Sequence, residues 1–237
     1  MRRALLIVAK PPQPGRTKTR LVPPLTPDEA AELYGGFLLD CVSLGLNLGW
    51  ERVSVVHPAG DRQALADLLP PSISLVEQLG IGLGAALLSA FERHLADGFL
   101  RVVLISSDNP TLPLDPIREA CDALGDHDVS IGPTTDGGYY LIGLRSAHRG
   151  VFENIDWSTP RVYAQTLARA LDLGLRVRAV REWYDVDQPS DLERLGAELR
   201  ALPPHVARHT RAVFERLGRT SAIYGTNTVG ERPVRSA

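Results

Sequence analysis

Short runs of apolar residues alternate along the chain with longer segments in which apolar residues recur every three or four positions. The short runs predict strands at residues 4–9, 52–57, 73–77, 101–106, 128–132, 139–144 and 176–181. The longer segments predict helices at residues 27–46, 60–69, 82–97, 114–124, 159–174, 189–201 and 204–217. We therefore predict an α/β fold with three layers, Rossmann-like, in which helices flank a mixed, mostly parallel sheet.

Local signals sharpen two parts of this prediction. Thr26 can cap the first helix, Pro27 suits the first helical position, and Glu29 completes a capping box. The segment 136–138, Asp-Gly-Gly, lies between two strand-like runs and indicates a sharp reversal of the chain. The strand after this reversal is therefore predicted to be antiparallel, which makes the sheet mixed.

The composition is that of an ordinary globular protein. Hydrophobic residues make up 44% of the 237 positions, charged residues make up 23%, and the net charge is -2. This balance lacks the cationic excess of a nucleic-acid binder. The apolar stretch at residues 4–9 is shorter than that of a signal peptide, and no run approaches the roughly 18 apolar residues that a membrane span needs, so we expect neither. We predict one domain over 1–218, a loosely ordered tail over 219–237 and a cytoplasmic location, with a homodimer left open.

Cysteine and lysine are both scarce. Cys41 and Cys121 lie in apolar helical patterns without Cys or His neighbours at metal-ligand spacing, which predicts core residues rather than a disulfide framework or a zinc site. Among the 26 basic residues only Lys10 and Lys18 are lysines, and both fall in the loop after the first strand. Because lysine presents a compact charge on a flexible stem, this placement indicates phosphate binding, with chance in an arginine-rich chain as the alternative.

The loop after the first strand has the strongest charge pattern in the chain. It contains three prolines, one flexible point at Gly15, and four cations, which are Lys10, Arg16, Lys18 and Arg20. Ligands of α/β sheets bind beyond the carboxyl ends of the strands, so we predict that this loop binds a polyphosphate. A solvated surface loop is the alternative, and the spacing is not that of a Walker A loop.

Acidic residues after two other strands predict a site for a divalent cation. Asp108 follows the fourth strand, where its carboxylate can reach the ligand crevice and hold magnesium or manganese, or can instead form a turn that caps the next helix. Asp185 and Asp187 are two positions apart in an extended segment, so both carboxylates face one side and could reach one ion. Ser190 or Asp191 can cap the helix that follows.

Two glycine-rich segments give weaker signals. Gly137 and Gly138 permit close approach of the backbone to a ligand, and we include both as candidate donor-binding residues. A simple hairpin turn accounts for them equally well. The segment 77–84 contains several glycines before a helix but lacks the Gly-x-Gly-x-x-Gly spacing of a dinucleotide-binding loop.

Four sequence elements together resemble one known group of proteins. They are Ala-Lys-x-Pro-x-Pro-Gly-x-x-Lys-Thr-Arg-Leu at 9–21, Ser-Asp-x-Pro at 107–110, Gly-Pro-x-x-Asp-Gly-Gly-Tyr-Tyr-Leu-Ile-Gly at 132–143 and Trp-Tyr-Asp-Val-Asp-x-Pro-x-Asp-Leu at 183–192. Through them the chain is similar, over residues 4 to about 195, to the nucleotide-diphospho-sugar transferase superfamily of GT-A type. Within it the chain resembles a branch described as arsenosugar-biosynthesis-type glycosyltransferases, and more distantly it resembles molybdenum-cofactor and phospholactate nucleotidyltransferases.

The resemblance implies a nucleotide donor, a small-molecule acceptor and a divalent metal ion, Mg²⁺ or Mn²⁺. The residues that it implies for the donor's phosphates are Arg16, Lys18 and Arg20. Asp108 would be the principal metal ligand and Asp187 its partner, and both would be catalytic together with Lys18. Asp185 would support them.

The reaction that the resemblance implies first is glycosyl transfer from a nucleotide sugar to a small acceptor. The strongly cationic first loop favours the alternative, nucleotidyl transfer from a nucleoside triphosphate to a small phosphorylated acceptor with release of pyrophosphate. The branch usually has Gly-Asp-Leu-Gly, an acid and an arginine after the third strand, whereas this chain has Ile-Gly-Leu-Gly-Ala-Ala at 81–86. That departure keeps a third alternative open, a nucleotide-binding module with reduced or no turnover.

Overall fold

The computed structural model describes residues 2–218 and has a central sheet of seven strands. The strands are β1 (Arg3–Val8), β2 (Arg52–His57), β3 (Ser74–Glu77), β4 (Arg101–Ser106), β5 (Val129–Pro133), β6 (Tyr139–Leu144) and β7 (Val177–Ala179). The helices are α1 (Pro27–Asn47), α2 (Arg62–Leu68), α3 (Gly82–Ala96), α4 (Leu114–Ala123), α5 (Val162–Asp172), α6 (Pro189–Ala201) and α7 (Arg208–Arg216). The predicted tail, 219–237, lies outside the described residues.

The sheet is mixed, as predicted, because one strand runs against the others. Its strand order is β3-β2-β1-β4-β6-β5-β7. β1 is parallel to β2 and β4, β2 to β3, and β5 to β7, whereas β6 is antiparallel to both β4 and β5. Since β6 directly follows the Asp-Gly-Gly segment, the predicted chain reversal is confirmed.

The predicted strands and helices are confirmed, with three helices that begin later than predicted: α2 by two residues, α5 by three and α7 by four. α5 starts after a turn in which the Thr159 hydroxyl donates to the Asp156 carbonyl at 2.7 Å and accepts the Arg161 N–H at 3.3 Å. α7 starts late because Ala207 has a left-handed backbone (φ 49°) through which a right-handed helix does not continue. None of the helices in residues 2–218 combines the length and apolar character of a membrane span.

The first helix begins as its capping signals predict. The Thr26 hydroxyl accepts the Glu29 N–H at 3.2 Å, and the Glu29 carboxylate accepts the Thr26 N–H at 2.7 Å. Pro27 is the first helical residue. This capping box fixes the start of α1 shortly after the cationic loop, so the loop is held at both ends by regular structure.

β1 is buried on both faces, which explains its continuous apolar sequence. Leu5 and Ile7 pack into one hydrophobic cluster with residues of α1 and α4, and Leu6 packs into another with residues of α3 and α5. Cys41 and Cys121 lie unpaired and buried in the first cluster, as predicted. Helices therefore cover both faces of the sheet, which is the predicted three-layer arrangement.

A third hydrophobic cluster holds the chain after β7 against α1. Phe37 of α1, Leu195 of α6 and Phe214 of α7 are fully buried in it, together with Tyr184 and Val186. Because Tyr184 and Val186 are anchored in this way, the segment before α6 is fixed next to α1. The acidic residues of that segment are thereby held at the carboxyl edge of the sheet.

Asp40 of α1 reinforces this arrangement by capping α7. Its two carboxylate oxygens accept the N–H groups of His209 at 3.0 Å and Thr210 at 2.8 Å. Burial raises the pKa of Asp40, and the bonds from α7 act against that rise. A residue in the first helix thus satisfies the amino end of the last one.

Candidate functional site

The cationic loop after β1 is folded by hydrogen bonds of its own backbone. The Gln13 carbonyl accepts the N–H groups of Arg16 and Thr17, both at 3.1 Å, and the Thr17 hydroxyl at 3.0 Å. Gly15 has a left-handed backbone (φ 71°) within this turn, a conformation that glycine adopts without strain. Leu21 is fully buried at the end of the loop. The loop is therefore a fixed structure beside the end of β1.

Lys18 is the member of this loop that points inward. Its side chain is only 5% exposed, and its Nζ lies 2.5 Å from Asp108 Oδ1 and 2.6 Å from Asp187 Oδ1. Burial lowers the pKa of Lys18, but the two carboxylates outweigh burial and raise the pKa above its ordinary value. The charged ammonium group of Lys18 thus links Asp108 to Asp187, and all three residues were predicted for one site.

Hydrogen bonds join the end of β4 to the segment before α6. The Val186 N–H donates to the Asp108 carbonyl at 3.0 Å. The side-chain amide of Asn109, which is 1% exposed, donates to the Tyr184 carbonyl and to Asp185 Oδ1, both at 2.6 Å. These bonds hold the acids of the two segments side by side, although Asn109 itself was not singled out from the sequence.

Asp185 and Asp187 share one face of their segment, as predicted. Tyr184 and Val186, which alternate with them, are buried in the core. Burial, and after it the nearby Asp108 carboxylate, raises the pKa of the Asp185 carboxyl to about 7. Asp185 therefore differs from Asp187, because its carboxylate is paired with the Asn109 amide and not with Lys18.

The carboxylate that caps α6 is Asp191, one of the two residues predicted for that role. Its Oδ2 accepts the N–H groups of Asp187 at 2.9 Å and Gln188 at 2.6 Å. The cap thus fixes the backbone of Asp187, while the Asp187 carboxylate points at Lys18.

The ion cluster borders a cavity of about 290 Å³ at the carboxyl ends of β1 and β4. The predicted residues that line it are Lys10, Arg16, Lys18, Arg20, Asp108 and Asp187. Of the four cations, three are exposed at the rim and Lys18 lies at the acidic base. A basic rim around paired carboxylates suits a phosphate group bound next to a cation.

Tyr34 and Ser107 also line the cavity and were not predicted from the sequence. The Tyr34 hydroxyl lies 2.8 Å from Ser107 Oγ and accepts the Lys10 N–H at 3.1 Å. Burial raises the pKa of Tyr34 to about 12, so this hydroxyl is protonated at neutral pH. Ser107 is next to Asp108 in the chain, and this neighbourhood could have predicted that it lines the cavity. Tyr34 lies on the buried face of α1, where an aromatic residue is expected only to pack.

The predicted donor-binding glycines do not line the cavity. Gly137 has a left-handed backbone (φ 89°), and a Cβ added there would lie 2.1 Å from the Pro160 carbonyl oxygen. The Gly138 N–H donates to Asp136 Oδ1 at 3.0 Å within the same turn. Gly137 thus approaches the chain's own loop before α5, and a role of either glycine in donor binding stays a prediction. Gly15 also lies outside the cavity lining.

The site carboxylates fit a hard divalent cation. One oxygen each of Asp108 and Asp187 approaches a common point, now taken by Lys18 Nζ, at 2.5 and 2.6 Å. Carboxylate oxygens are the ligands that Mg²⁺ and Mn²⁺ prefer. Residues 2–218 contain no group of three or more Cys, His, Asp or Glu side chains arranged around a metal position. The fit therefore depends on this one pair of acids.

Comparison with known proteins identifies a family and a similar solved structure. Residues 42–159 match the family described as "Uncharacterized protein conserved in bacteria (DUF2064)". A protein of Desulfovibrio desulfuricans G20, named as a candidate nucleotide-diphospho-sugar transferase, is 32% identical, with a TM-score of 0.85 over 93% of this chain and 97% of that chain. No curated protein matches the sequence.

More distant solved structures share the fold. Rv0371c of Mycobacterium tuberculosis H37Rv, solved in complex with manganese, is 17% identical, with a TM-score of 0.51 over 82% of this chain and 97% of that chain. The 4-diphosphocytidyl-2C-methyl-D-erythritol synthase of Anaerococcus prevotii DSM 20548 is 13% identical, with a TM-score of 0.57 over 84% of this chain and 96% of that chain. At these identities the likeness describes the arrangement of strands and helices.

Proposed function

The chain belongs to the DUF2064 family and to the nucleotide-diphospho-sugar transferase superfamily, and from this premise we propose that it is a metal-dependent transferase with a nucleotide donor. Glycosyl transfer from a nucleotide sugar to a small acceptor is the reaction that we favour. The observation that carries the proposal is the meeting of Lys18, Asp108 and Asp187 at the base of a cavity with a basic rim.

The basic rim would bind the donor's phosphates. Lys10, Arg16 and Arg20 line the cavity and are exposed, so their charged groups are accessible to a ligand. Arginine can hold phosphate oxygens in a bidentate manner, and lysine adds a point charge. Because the turn around Gly15 fixes the loop, these cations would orient the donor before reaction and reduce the entropy lost on reaching the transition state.

The acidic base would hold the metal ion. Asp108 and Asp187 would be its ligands, and Asp185 would support them. When bound, Mg²⁺ or Mn²⁺ neutralises phosphate charge and so helps the nucleoside diphosphate leave. Lys18 would stabilise the negative charge that develops on the leaving phosphate. Asp108 is held by the end of β4 and Asp187 by the cap of α6, so the two carboxylates keep a fixed separation.

Nucleotidyl transfer is a second candidate, favoured by the number of cations. Four basic residues line one cavity of about 290 Å³, which suits a triphosphate at least as well as a diphosphate. The same acids would then hold the metal while pyrophosphate leaves. Both reactions therefore need the same residues. Glycosyl transfer breaks the bond between the sugar and the diphosphate, whereas nucleotidyl transfer breaks the bond between the α- and β-phosphates.

The product released distinguishes the two reactions. The protein is incubated with nucleotide sugars or with nucleoside triphosphates, in the presence of Mg²⁺, Mn²⁺ or EDTA, and the phosphate products are separated. Water can replace an unknown acceptor, so donor hydrolysis serves as a first assay. Glycosyl transfer yields a nucleoside diphosphate from a nucleotide sugar, whereas nucleotidyl transfer yields pyrophosphate from a triphosphate.

Two results would overturn the proposal. Turnover that is unchanged by EDTA would remove the metal from the reaction. A thermal-shift panel in which no nucleotide stabilises the protein, with or without metal, would remove the nucleotide donor. A ligand at about 100 times its dissociation constant adds about 2.7 kcal/mol to the free energy of unfolding, so binding of this kind is readily detected.

A further inference from the structure

Lys18 occupies the point toward which the two site carboxylates converge. Its Nζ lies 2.5 Å from Asp108 Oδ1 and 2.6 Å from Asp187 Oδ1, and its side chain is 5% exposed. The ring centroids of Tyr34 and Phe37 lie 5.9 and 5.8 Å from the same nitrogen. Two carboxylates and two aromatic faces thus surround the ammonium group, so the chain supplies its own well-bound cation.

A divalent ion bound by the same two oxygens would overlap with this ammonium group. Mg²⁺ lies about 2.0–2.1 Å from its oxygen ligands, and Lys18 Nζ lies 2.5 and 2.6 Å from the two oxygens in question. Two cations so placed would be in contact and would repel each other. The lysine and the metal therefore cannot share the acid pair in this arrangement.

We propose that Lys18 is an internal counter-cation that occupies the metal position until a phosphorylated donor arrives, so that metal and donor bind cooperatively. This inference rests on the proposed function, because it takes Asp108 and Asp187 as the metal ligands. Donor phosphates in the cavity offer Lys18 a second anionic partner, and its side chain turns from the acids to the phosphates. The acids then lose their internal partner and accept the divalent ion.

The surroundings of Lys18 suit such an exchange. Arg16 and Arg20 lie close to it in the chain and line the same cavity, so phosphates that they hold come close to Lys18. The lysine stem is flexible and its charge is compact, so it can change partners without a change of the backbone. Two aspartates with one lysine carry a net negative charge, whereas two aspartates with a divalent ion are neutral and no longer repel an anionic donor.

Cooperativity of this kind is reciprocal. If the donor raises the affinity for metal by releasing Lys18 from the acids, then the metal raises the affinity for donor by the same factor. Without a donor, the metal must displace Lys18 with no new partner for the ammonium group. We therefore expect the donor-free protein to bind divalent metal weakly.

The first test is a calorimetric titration with Mn²⁺ in the absence of nucleotide. We compare the wild type with Lys18→Met and with Lys10→Met, which removes the other lysine of the same cavity. The Lys18→Met dissociation constant for Mn²⁺ should fall at least about tenfold, and that of Lys10→Met should stay within about twofold of the wild type. Equal or weaker Mn²⁺ binding by Lys18→Met would overturn the inference.

The scarcity of lysine provides a second test in the unaltered protein. Protein labelled with ¹³C and ¹⁵N only in lysine gives side-chain signals from Lys10 and Lys18 alone, and Lys10→Arg assigns them. We expect Mg²⁺ alone, at the concentration used with the donor, to leave the Lys18 signal in place. A nucleotide sugar together with Mg²⁺ should shift that signal to a new position.

The outcomes separate this inference from the proposed function. A Lys18 signal that stays in place while calorimetry detects bound nucleotide and metal would overturn the inference and leave the proposed function standing. If no nucleotide binds, the proposed function fails. The Mn²⁺ titration of Lys18→Met then decides alone whether the lysine and the metal compete.

Discussion

The two edges of the sheet each carry an ion cluster of three residues, and the clusters have opposite compositions. At the carboxyl ends of β1 and β4, Lys18 lies between two aspartates. At the opposite edge, where β5 and β7 begin and β6 ends, Asp128 lies between two arginines. Its carboxylate is 2.9 Å from Arg145 and 3.5 Å from Arg176. The Lys18 cluster therefore has one acidic residue more than it has basic residues, and the Asp128 cluster has one basic residue more than it has acidic residues.

The surroundings of the two clusters explain their different uses. Arg145 and Arg176 are 35% and 58% exposed and can share their charge with solvent, whereas the Lys18 side chain is 5% exposed. Asp128 also accepts the Arg176 N–H at 3.0 Å, which fixes the start of β7. The Asp128 carboxylate thus has all its charged partners within the chain, which is typical of a structural ion cluster. In the Lys18 cluster only the lysine is buried, whereas Asp108 and Asp187 are 31% and 36% exposed at an open cavity. A cluster with an excess of negative charge in such a position indicates a place for a ligand.

The largest contrast between the clusters should appear in turnover. Asp108→Asn keeps the shape of the side chain but removes the charge proposed to hold the metal. We expect its kcat to fall at least about 100-fold, equivalent to about 2.7 kcal/mol of transition-state stabilisation. Asp128→Asn, the matched change at the other edge, should stay within about twofold of the wild type. If Asp108→Asn keeps more than about a tenth of the wild-type kcat, the two clusters do not differ in catalysis as proposed.

The next contrast concerns the free energy of unfolding in urea. Asn109→Ala removes two buried hydrogen bonds and leaves the Tyr184 carbonyl without its side-chain donor, so we expect a loss of about 1–3 kcal/mol. Arg145→Ala removes a partly exposed ion pair and should cost less than about 1 kcal/mol. Equal losses would show that the two edges contribute alike to stability.

A third contrast is the pH dependence of stability, measured in EDTA without nucleotide. The pKa of Asp185 is raised to about 7 by burial, so its ionised form is disfavoured in the folded state. Wild-type stability should therefore rise as pH falls from 8 through about 7 toward the ordinary carboxyl pKa near 4. Asp185→Asn should be more stable than wild type by about 1 kcal/mol or more at pH 8. That advantage should shrink toward pH 4, and a constant difference would contradict the expectation.

The smallest effect belongs to Asp128, and its sign is the reverse. The hydrogen bond from the Arg176 N–H lowers the pKa of Asp128, and both arginines lower it further. Asp128 therefore stabilises the folded state above the ordinary carboxyl pKa, and this contribution is lost as pH falls through its lowered pKa. Asp128→Asn should be less stable than wild type by less than about 1 kcal/mol at pH 7. In thermal unfolding the difference should shrink as pH falls through this lowered pKa, and a difference that grows on acidification would refute this assignment.

Local signals in the sequence predicted the elements of the fold. Apolar periodicity located the strands and helices, the Thr26–Glu29 pair marked the start of α1, and the Asp-Gly-Gly segment marked the chain reversal before β6. Each of these signals depends on residues a few positions apart. The late start of α7 was missed, because the left-handed backbone of Ala207 leaves no mark in residue type.

The site was predicted in part, for a related reason. Lys18, Asp108 and Asp187 stood out because each is a charged residue beyond a strand or in a loop. The sequence did not reveal that they touch, since the inward direction of Lys18 depends on a left-handed backbone at that residue (φ 49°). Tyr34 was missed because the sequence pattern of a helix is the same whether a buried aromatic residue only packs in the core or also lines a cavity.

The distance along the chain between the partners of Lys18 has a consequence for biosynthesis. Lys18 and Asp187 are 169 positions apart, so the acid pair is complete only after most of the chain has left the ribosome. A nascent chain that ends between residues 180 and 186 contains all seven strands of the described sheet but lacks Asp187 and the helix that fixes it. Folding of the sheet can begin during synthesis, while the ion cluster must wait for the carboxyl-terminal helices. Turnover would then report that the chain through α6, and not only the sheet, has folded.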